Sequence, residues 1–487
     1  MKKATIRHEL LPHLTLLALA AGLITLCSKS SPLYPLNDWV DANCFFTTGK
    51  SMLSGTVLYR DLYEQKGPLL YMLYAVCSLI SYKSFFGVWL LEVGACYAFL
   101  LYAFRTIRLF VRRECLFMLL PVAVCIYTTK SFAHGGGAEE LCLPLLMYGV
   151  YVVLKSLQQK VEISSREALG IGITSACVLW IKYSMLGLYL GWIVLPALLL
   201  LLQKKPARLF RLLGLICLGV LIGSLPIIIY FAATDAFKDL WTVYFYNNIF
   251  LYGSESTSLW EMLRRVAGCV RAAARFGSGI WIFSALGLAG MLVRRRLLCA
   301  LQLVIMFTSL AITTYGSSPG YTYYAFVFCI FSIMAAVPLT ELASRLFPIF
   351  RRIAFAVAPF ALPLCLVSAF LLSGNTYLMR YQKEELPQYR FAARMQETDC
   401  PTLLNYGFLD GGFYTAAGIV PSCKFFCLLN INLPEMRLAQ NACAAAGDVD
   451  YIITRDSTPA FSKYEIIDSA SLFFEGRIRT YYLYARK

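Results

Sequence analysis

Residues 35–75 bring carboxylates and lysines together between very apolar parts of the chain. A carboxylate such as Asp41 can remove a proton from a hydroxyl group, and the ammonium group of Lys66 can bind an anion such as a phosphate. Asp38, Asp61 and Glu64 lie in the same stretch. Each charged group would cost at least about 2.5 kcal/mol inside the hydrocarbon of a bilayer. The stretch is therefore predicted to fold at a membrane surface and to form a site there.

Simpler roles exist for the same side chains. Asp is a good N-cap residue, so Asp41 or Asp38 could cap a helix that is predicted from about residue 42 to 54 and that ends at Gly55. Asp38 could instead support Asp41 or contact a substrate. Lys66 precedes an apolar run, where a lysine commonly contacts lipid headgroups. The residue types alone leave these alternatives open.

A second acidic point follows the three glycines at 135–137, where Glu139 and Glu140 open an apolar segment. One of these carboxylates could line a site, or both could simply stabilise the positive end of a helix dipole. Lys182 lies between two apolar segments. It could bind a phosphate, or its ammonium group could extend to the membrane surface.

Aromatic residues are concentrated at the edges of the apolar segments. Tyr321, Tyr323 and Tyr324 follow a short Gly-Ser-Ser-Pro-Gly loop, and their hydroxyl groups could bind a sugar or a phosphate. An aromatic belt at the membrane interface is the commoner explanation of such residues. The amphipathic stretch 259–276 carries four arginines, which could contact anionic headgroups or a lipid phosphate.

The composition indicates how these residues are positioned. Of the 487 residues, 59% are hydrophobic and only 15% are charged, with a mean hydropathy of +0.63. Soluble domains contain about 25% charged residues, so the chain is predicted to cross a membrane many times. The net charge of +16 does not indicate nucleic-acid binding, because the basic residues cluster between apolar segments as membrane topology requires.

Twelve apolar runs are apparent, and charge decides which of them cross the membrane. If all crossed, Arg105, Arg108, Arg112 and Arg113 would lie outside, against the positive-inside rule. The run 67–82 is the weakest, since a span needs about 20 residues, and it is predicted to be an interfacial helix. The remaining spans are predicted at 10–28, 86–104, 115–131, 141–157, 168–182, 187–203, 212–232, 277–293, 297–314, 321–341 and 353–373.

This topology gives about eleven transmembrane helices with a cytoplasmic N-terminus. The polar segments at 29–85, 132–140, 183–186, 233–276 and 315–320 then share the outer face with the C-terminal tail. We therefore predict a mainly α-helical membrane domain over residues 1–375, in which 29–85 is the first extracytoplasmic loop with its juxtamembrane helices. Any chemistry is expected at the outer face.

The tail, residues 376–487, has a different composition and contains short β-type runs at 402–408, 450–454 and 479–486. A helix is predicted to start after Pro434 and to stop at Gly447. These signals predict a small extracytoplasmic α/β domain. Cys400, Cys423, Cys427 and Cys443 lie in it and could pair in an oxidising compartment, but their spacing is not that of a metal site.

The first loop resembles that of the GT-C glycosyltransferases, in the branch of protein O-mannosyltransferases and aminoarabinose transferases (glycosyltransferase family 39). In that branch the loop carries an acidic residue, an aromatic residue four positions later, and a Lys-Pro element. Here Asp41, Phe45 and Lys66 match this pattern. Alanine follows Asp41 where the branch has glutamate, and a glycine separates Lys66 from the proline.

The resemblance implies a membrane enzyme of the plasma membrane that takes a sugar from a polyprenyl-phosphate carrier. Asp41 would be the general base, Lys66 and Lys182 would bind the donor phosphate, and Glu139 or Glu140 would be the second acidic point. Some relatives use a divalent cation. We predict no metal and no cofactor here, because the three His are dispersed.

The expected partners are the lipid-linked sugar donor, membrane lipids and an acceptor that the sequence does not identify. A transporter or flippase of lipid-linked sugars is the main alternative, but it predicts charged residues inside the spans and inverted repeats. A noncatalytic membrane protein that binds a lipid-linked sugar is the other alternative.

Overall fold

A computed structural model of the protein describes residues 2–112, 114–252, 258–316, 320–431, 433–474 and 477–487. The basic-cluster residue Arg113 lies outside the described residues. Two compact units are present. The helical unit contains Met1–Ser28, Leu91–Pro226 and Glu255–Thr376, and the mixed unit contains Lys29–Leu90, Ile227–Ser254 and Tyr377–Lys487.

Helices make up most of the chain. The α-helices, numbered α1 to α19 in chain order, are Lys2–Cys27, Val40–Leu53, Pro68–Ile80, Phe86–Ile107, Cys115–Tyr127, Ala138–Gln159, Ser165–Lys182, Gly187–Leu202, Pro206–Ala233, Phe237–Asp239, Leu259–Phe276, Ser278–Val293, Leu297–Tyr315, Cys329–Ser332, Ala336–Leu346, Phe350–Leu372, Pro387–Met395, Phe413–Ala417 and Pro434–Ala446. Short 3₁₀ segments are Lys130–Phe132, Tyr183–Leu186, Thr322–Phe328, Ile333–Ala335, Thr376–Arg380 and Lys383–Glu385, and Leu240–Leu251 is a π-helix.

Among the described residues, seven helical stretches are long and apolar enough to cross a membrane, or eight if the pair Leu259–Phe276 and Ser278–Val293, which is bent by 107°, counts as one span. Shorter apolar helices lie at Pro68–Ile80, Cys115–Tyr127 and Ala356–Leu372. The chain is thus a multi-pass membrane protein. The total of eleven spans and the orientation of the termini stay predictions.

The stretch Ser165–Leu202 is one of the seven stretches, yet it contains two antiparallel helices. Helix α7 runs antiparallel to α6, because Glu167 near the start of α7 pairs with Lys155 near the end of α6, and Lys182 at the end of α7 pairs with Glu139 near the start of α6. Helix α8 runs in the same direction as α6, and near its start the Tyr189 hydroxyl donates to the Leu145 carbonyl at 2.8 Å. The reversal occurs at Lys182, whose backbone is extended. Lys182 therefore lies at the turn between two helices, as the sequence predicts.

In the mixed unit, α2 packs against α3 along a face of small and aromatic side chains. A Cβ atom on Gly49 would approach the Ala75 backbone nitrogen to 2.7 Å, so only glycine allows this close approach. Phe45 lies edge-on to Tyr74 at 5.7 Å between ring centroids. Helix α3 begins at Pro68, where the fixed φ of proline suits the first helical position. It has 13 residues, fewer than a membrane span needs.

The tail contains a four-stranded sheet of Leu403–Asn405 (β1), Tyr451–Arg455 (β2), Tyr464–Phe474 (β3) and Arg477–Arg486 (β4). The strand order is β1-β2-β4-β3, with β1 parallel to β2 and the other pairs antiparallel. Helix α19 ends at Gly447, whose φ of +74° suits glycine at a helix C-terminus. Leu404, Ile452 and Tyr484 form a core with α19. The mainly helical fold with a small α/β tail is confirmed.

Candidate functional site

Asp41 lies in the first turn of α2, but it is not the residue that caps this helix. The helix begins at Val40, and its N-cap position is Trp39, which makes no side-chain capping bond. The interpretation of Asp41 as an N-cap is therefore wrong. Asp41 still lies in the first turn, at the positive end of the helix dipole.

Hydrogen bonds between side chains and backbone hold the start of α2 in place. The Asn43 side-chain nitrogen donates to the carbonyls of Asn37 at 2.8 Å and of Trp39 at 2.9 Å. Asp38 accepts a hydrogen bond from the Lys29 ammonium at 2.6 Å, and both side chains are buried. Asp38 is thus part of a buried ion pair and not a helix cap.

Glu64 is a buried carboxyl group that the sequence analysis did not assign to the site. Burial raises its pKa from 4.5 to about 7, the Lys66 charge lowers it, and the Asp41 charge raises it. The side chain is 3% exposed and accepts a hydrogen bond from the Lys66 backbone nitrogen at 2.9 Å. A carboxyl group that titrates near neutral pH can both accept and release a proton under physiological conditions.

The backbone of Lys66 is fixed from both sides. Its nitrogen also donates to the Tyr71 hydroxyl at 2.7 Å, and its carbonyl accepts from the Tyr59 hydroxyl. The Lys66 ammonium lies 6.0 Å from the centre of the Tyr252 ring. A fixed backbone with a long cationic side chain places a positive charge next to Glu64. We call Asp41, Glu64 and Lys66 the loop cluster.

The π-helix supports the loop that carries this cluster. Asn248 donates to the Gln65 carbonyl at 2.7 Å, and Asn247 donates to the Tyr63 hydroxyl at 3.0 Å. Wider π-helical turns are rare and often occur at functional sites. Asn247 lies in the polar segment 233–276, and its contact with a residue 184 positions away is visible only in the fold.

In the helical unit, Glu139 and Lys182 form a buried ion pair. The Lys182 ammonium also lies 3.6 Å from the centre of the Tyr324 ring and 5.8 Å from that of Tyr323. Tyr321 stacks on Tyr323 at 5.7 Å between centroids. The structure therefore brings together Glu139, Lys182 and the tyrosines, which the sequence analysis named separately.

Glu140 contacts another carboxyl group, that of Glu92. Both side chains accept the backbone N–H of Gly136, Glu140 at 3.0 Å and Glu92 at 2.7 Å. Ser28 donates to Glu92 at 2.8 Å. We call Glu92, Glu139, Glu140 and Lys182 the span cluster.

The glycines before α6 are required by this arrangement. Gly135 has a φ of +81°, and a Cβ atom on it would lie 1.9 Å from the Ser28 hydroxyl oxygen and 2.6 Å from a Glu92 carboxyl oxygen. Only glycine fits there.

Over the part of the chain that the structure describes, no group of three His, Cys, Asp or Glu side chains could hold a metal ion.

Comparisons with known proteins identify the fold. No protein-family model and no curated protein matches the sequence. The structure is similar to that of ArnT from Cupriavidus metallidurans bound to undecaprenyl phosphate, with a TM-score of 0.60 and 14% identity, over 96% of each chain. The apo form of the same ArnT matches with a TM-score of 0.57, again at 14% identity and over 96% of each chain.

Both matches extend over nearly the whole chain, including the small tail. ArnT is an aminoarabinose transferase with a GT-C fold. The resemblance that the first loop suggested is therefore confirmed at the level of the fold, and the protein has the GT-C architecture of ArnT.

Proposed function

We propose that the protein is an inverting membrane glycosyltransferase that moves a pentose or hexose from a polyprenyl-phosphate carrier to an acceptor hydroxyl. The reaction takes place at the outer face of the plasma membrane, with the N-terminus in the cytoplasm and the tail outside. The fold supports this proposal, because the similar ArnT structure holds undecaprenyl phosphate. The observation that carries it is the loop cluster, which combines two carboxyl groups with a lysine.

Asp41 is the general base in this proposal. It removes the proton from the acceptor hydroxyl while the acceptor oxygen attacks the anomeric carbon of the sugar. The bond between that carbon and the phosphate oxygen breaks, and the polyprenyl phosphate leaves as an anion. A single displacement inverts the anomeric configuration.

Glu64 assists Asp41 in this proposal by taking up and releasing protons. Its pKa of about 7 lies close to physiological pH, and the charge of Asp41 is one of the causes of the upward shift. A proton that Asp41 removes can therefore pass to Glu64 and leave the site from there. Asp41 and Glu64 then return to their initial protonation states before the next acceptor binds.

Lys66 binds the donor phosphate in this proposal. Its charge offsets that of the leaving phosphate, and its fixed backbone limits the orientations of the side chain. Lys182 has a second role as a phosphate ligand, for which the ammonium must exchange its Glu139 partner for the phosphate. Glu139 or Glu140 is the second acidic point, and Asp38 supports the loop through its pair with Lys29.

Asp41→Asn tests the base. With purified protein in lipid vesicles and a radiolabelled series of undecaprenyl-phosphate pentoses and hexoses, transfer by the variant should fall by at least about 100-fold. Asp61→Asn is the matched control, because Asp61 is half-exposed and pairs with the neighbouring Arg60. Transfer by Asp41→Asn at the rate of the control would contradict the assignment.

Lys66→Met tests the phosphate site. Loss of a charge-assisted contact should weaken binding of undecaprenyl phosphate by roughly 10- to 100-fold, measured by ligand-induced thermal stabilisation. The exposed Lys424 in the same unit provides the control Lys424→Met. Equal binding by the two variants would exclude Lys66 from the site, and binding of the lipid without transfer of any sugar would contradict the enzymatic proposal.

A further inference from the structure

Two cysteines of the tail lie in contact. The sulfur atoms of Cys423 and Cys443 are 2.9 Å apart, although the residues are twenty positions apart in the chain. Cys443 is on α19 and belongs to the core of the sheet, while Cys423 packs against that core and is partly exposed. A disulfide needs sulfur atoms about 2.05 Å apart, so a small side-chain movement would suffice.

A second pair in the same unit offers a comparison. The sulfur atoms of Cys44 and Cys427 are 3.7 Å apart, and both residues are fully buried. Burial raises the pKa of both thiols, which disfavours the reactive thiolate. An oxidising protein also has no access to them. This pair is expected to stay reduced.

The first pair has the reactivity that the second pair lacks. A hydrogen bond with Cys443 lowers the pKa of Cys423 and raises the pKa of Cys443. Cys423 is therefore the thiol of the pair that ionises more readily, and it is also the more exposed of the two residues. Thiolates, and not thiols, attack disulfides.

We propose that Cys423 and Cys443 form a disulfide once the tail reaches the oxidising side of the membrane, so the inference rests on the outer-face location proposed above. The oxidant is the disulfide of a protein thiol oxidase. The Cys423 thiolate attacks this disulfide and forms a mixed disulfide. Cys443 then attacks the Cys423 sulfur and releases the oxidase as a dithiol, which has received two electrons and the two protons.

The bond would brace the loop that carries Glu64. Directly after Cys423, the Lys424 carbonyl accepts the backbone N–H of Tyr63 at 2.9 Å, and the rings of Phe425 and Tyr63 lie 5.3 Å apart. Tyr63 precedes Glu64 in the chain. A disulfide between Cys423 and Cys443 would thus link the residues that contact Tyr63 covalently to α19 and the core of the sheet.

Mass spectrometry of the full-length protein tests the proposal. Membranes are solubilised without a reductant, free thiols are blocked with N-ethylmaleimide under denaturing conditions, and the peptides are compared before and after reduction. We expect a linked Cys423–Cys443 peptide, with Cys44, Cys400 and Cys427 alkylated. Complete alkylation of both Cys423 and Cys443 overturns the proposal, as does a linkage of either to another cysteine.

Variants separate the disulfide from general damage to the fold. Cys423→Ser should expose Cys443 to the reagent, Cys443→Ser should expose Cys423, and Cys400→Ser should change neither. Reductant should lower the midpoint of thermal unfolding of the wild type by several degrees and leave the Cys423→Ser/Cys443→Ser double variant unchanged. An equal shift in both proteins overturns the bracing role. The thiol readout does not depend on sugar transfer, so failure of the enzymatic proposal would be distinguishable.

Discussion

The Glu139–Lys182 pair of the span cluster and the loop cluster are built from the same residue types but differ in how charges are paired. In the helical unit, the Lys182 ammonium contacts the oppositely charged Glu139 and the face of Tyr324. In the mixed unit, the carboxyl group of Glu64 is influenced by the positive Lys66 and by the negative Asp41. Opposite charges in contact satisfy each other, whereas burial, and to a smaller degree the Asp41 carboxylate, raises the pKa of Glu64 so that it binds a proton more tightly.

From this difference we predict a mainly structural role for the ion pair and a reactive role for Glu64. The Glu139–Lys182 pair joins α6 to the end of α7, so it fixes two helices of the helical unit. Glu64 titrates near neutral pH, so small changes in its surroundings alter its protonation. We therefore expect substitutions in the Glu139–Lys182 pair to lower stability strongly, and those in the loop cluster to act mainly on proton transfer.

The largest effect is expected from breaking the ion pair of the span cluster. Glu139→Gln or Lys182→Met leaves one charge buried without its partner, which typically destabilises a protein by about 3–5 kcal/mol. The double variant should lose less than the sum of the two single variants, because neither charge remains. The free energies of unfolding of the wild type, the two single variants and the double variant, measured in detergent by denaturant titration, test this expectation. Additive losses would show that the two side chains act independently.

The next effect concerns pH and comes from Glu64 in the loop cluster. Its pKa is about 7 in the folded protein and 4.5 at its ordinary value, so the folded state binds the proton more tightly. The resulting stabilisation is complete below about pH 4.5 and is lost as the pH rises to about 7. A shift of this size corresponds to about 3 kcal/mol.

The midpoint of thermal unfolding, recorded across this pH range, measures the contribution. It should fall with rising pH in the wild type, and Glu64→Gln should remove that part of the fall. Asp61→Asn in the same unit is the control, since the hydrogen bond from Arg60 lowers the pKa of Asp61 and its contribution has the opposite sign. A wild-type profile that Glu64→Gln does not change would show that Glu64 is not the group that titrates.

Much of the fold could be predicted because local signals mark the ends of its helices. The predicted helix at 42–54 is Val40–Leu53, the interfacial run at 67–82 is Pro68–Ile80, and the tail helix begins at Pro434 as expected. Glycine and proline provided these limits. Strand β3 was missed, because polar residues and a bulge near Asp468 interrupt the pattern of this edge strand.

The candidate site was less accessible to prediction, because its properties depend on distant contacts. Glu139 and Lys182 were both named from the sequence, but their pairing follows from the reversal of the chain at Lys182. The pKa of Glu64 depends on burial, which one loop sequence does not reveal. Glu92 lies in an apolar segment of the sequence, and its neighbour Glu140 appears only in the fold.

The smallest effect is expected at the starts of α7, which carries Lys182, and of α2, which carries Asp41. Helix α7 has a local capping box, in which Ser164 and Glu167 bind each other's backbone nitrogens. Helix α2 has no capping side chain at Trp39 and depends on Asn43. Ser164→Ala should therefore cost about 1 kcal/mol of stability in denaturant titration and leave sugar transfer unchanged.

Ser165→Ala is the matched control for the cap, since Ser165 is also exposed but its hydroxyl accepts a hydrogen bond from Arg211 instead of capping the helix. Its free energy of unfolding should stay close to that of the wild type. Asn43→Ala should reduce transfer as well as stability, because Asn43 holds the turn that carries Asp41. If Ser164→Ala reduced transfer as much as Asn43→Ala, the start of α7 would be part of the reactive machinery, and the distinction between the two regions would be wrong.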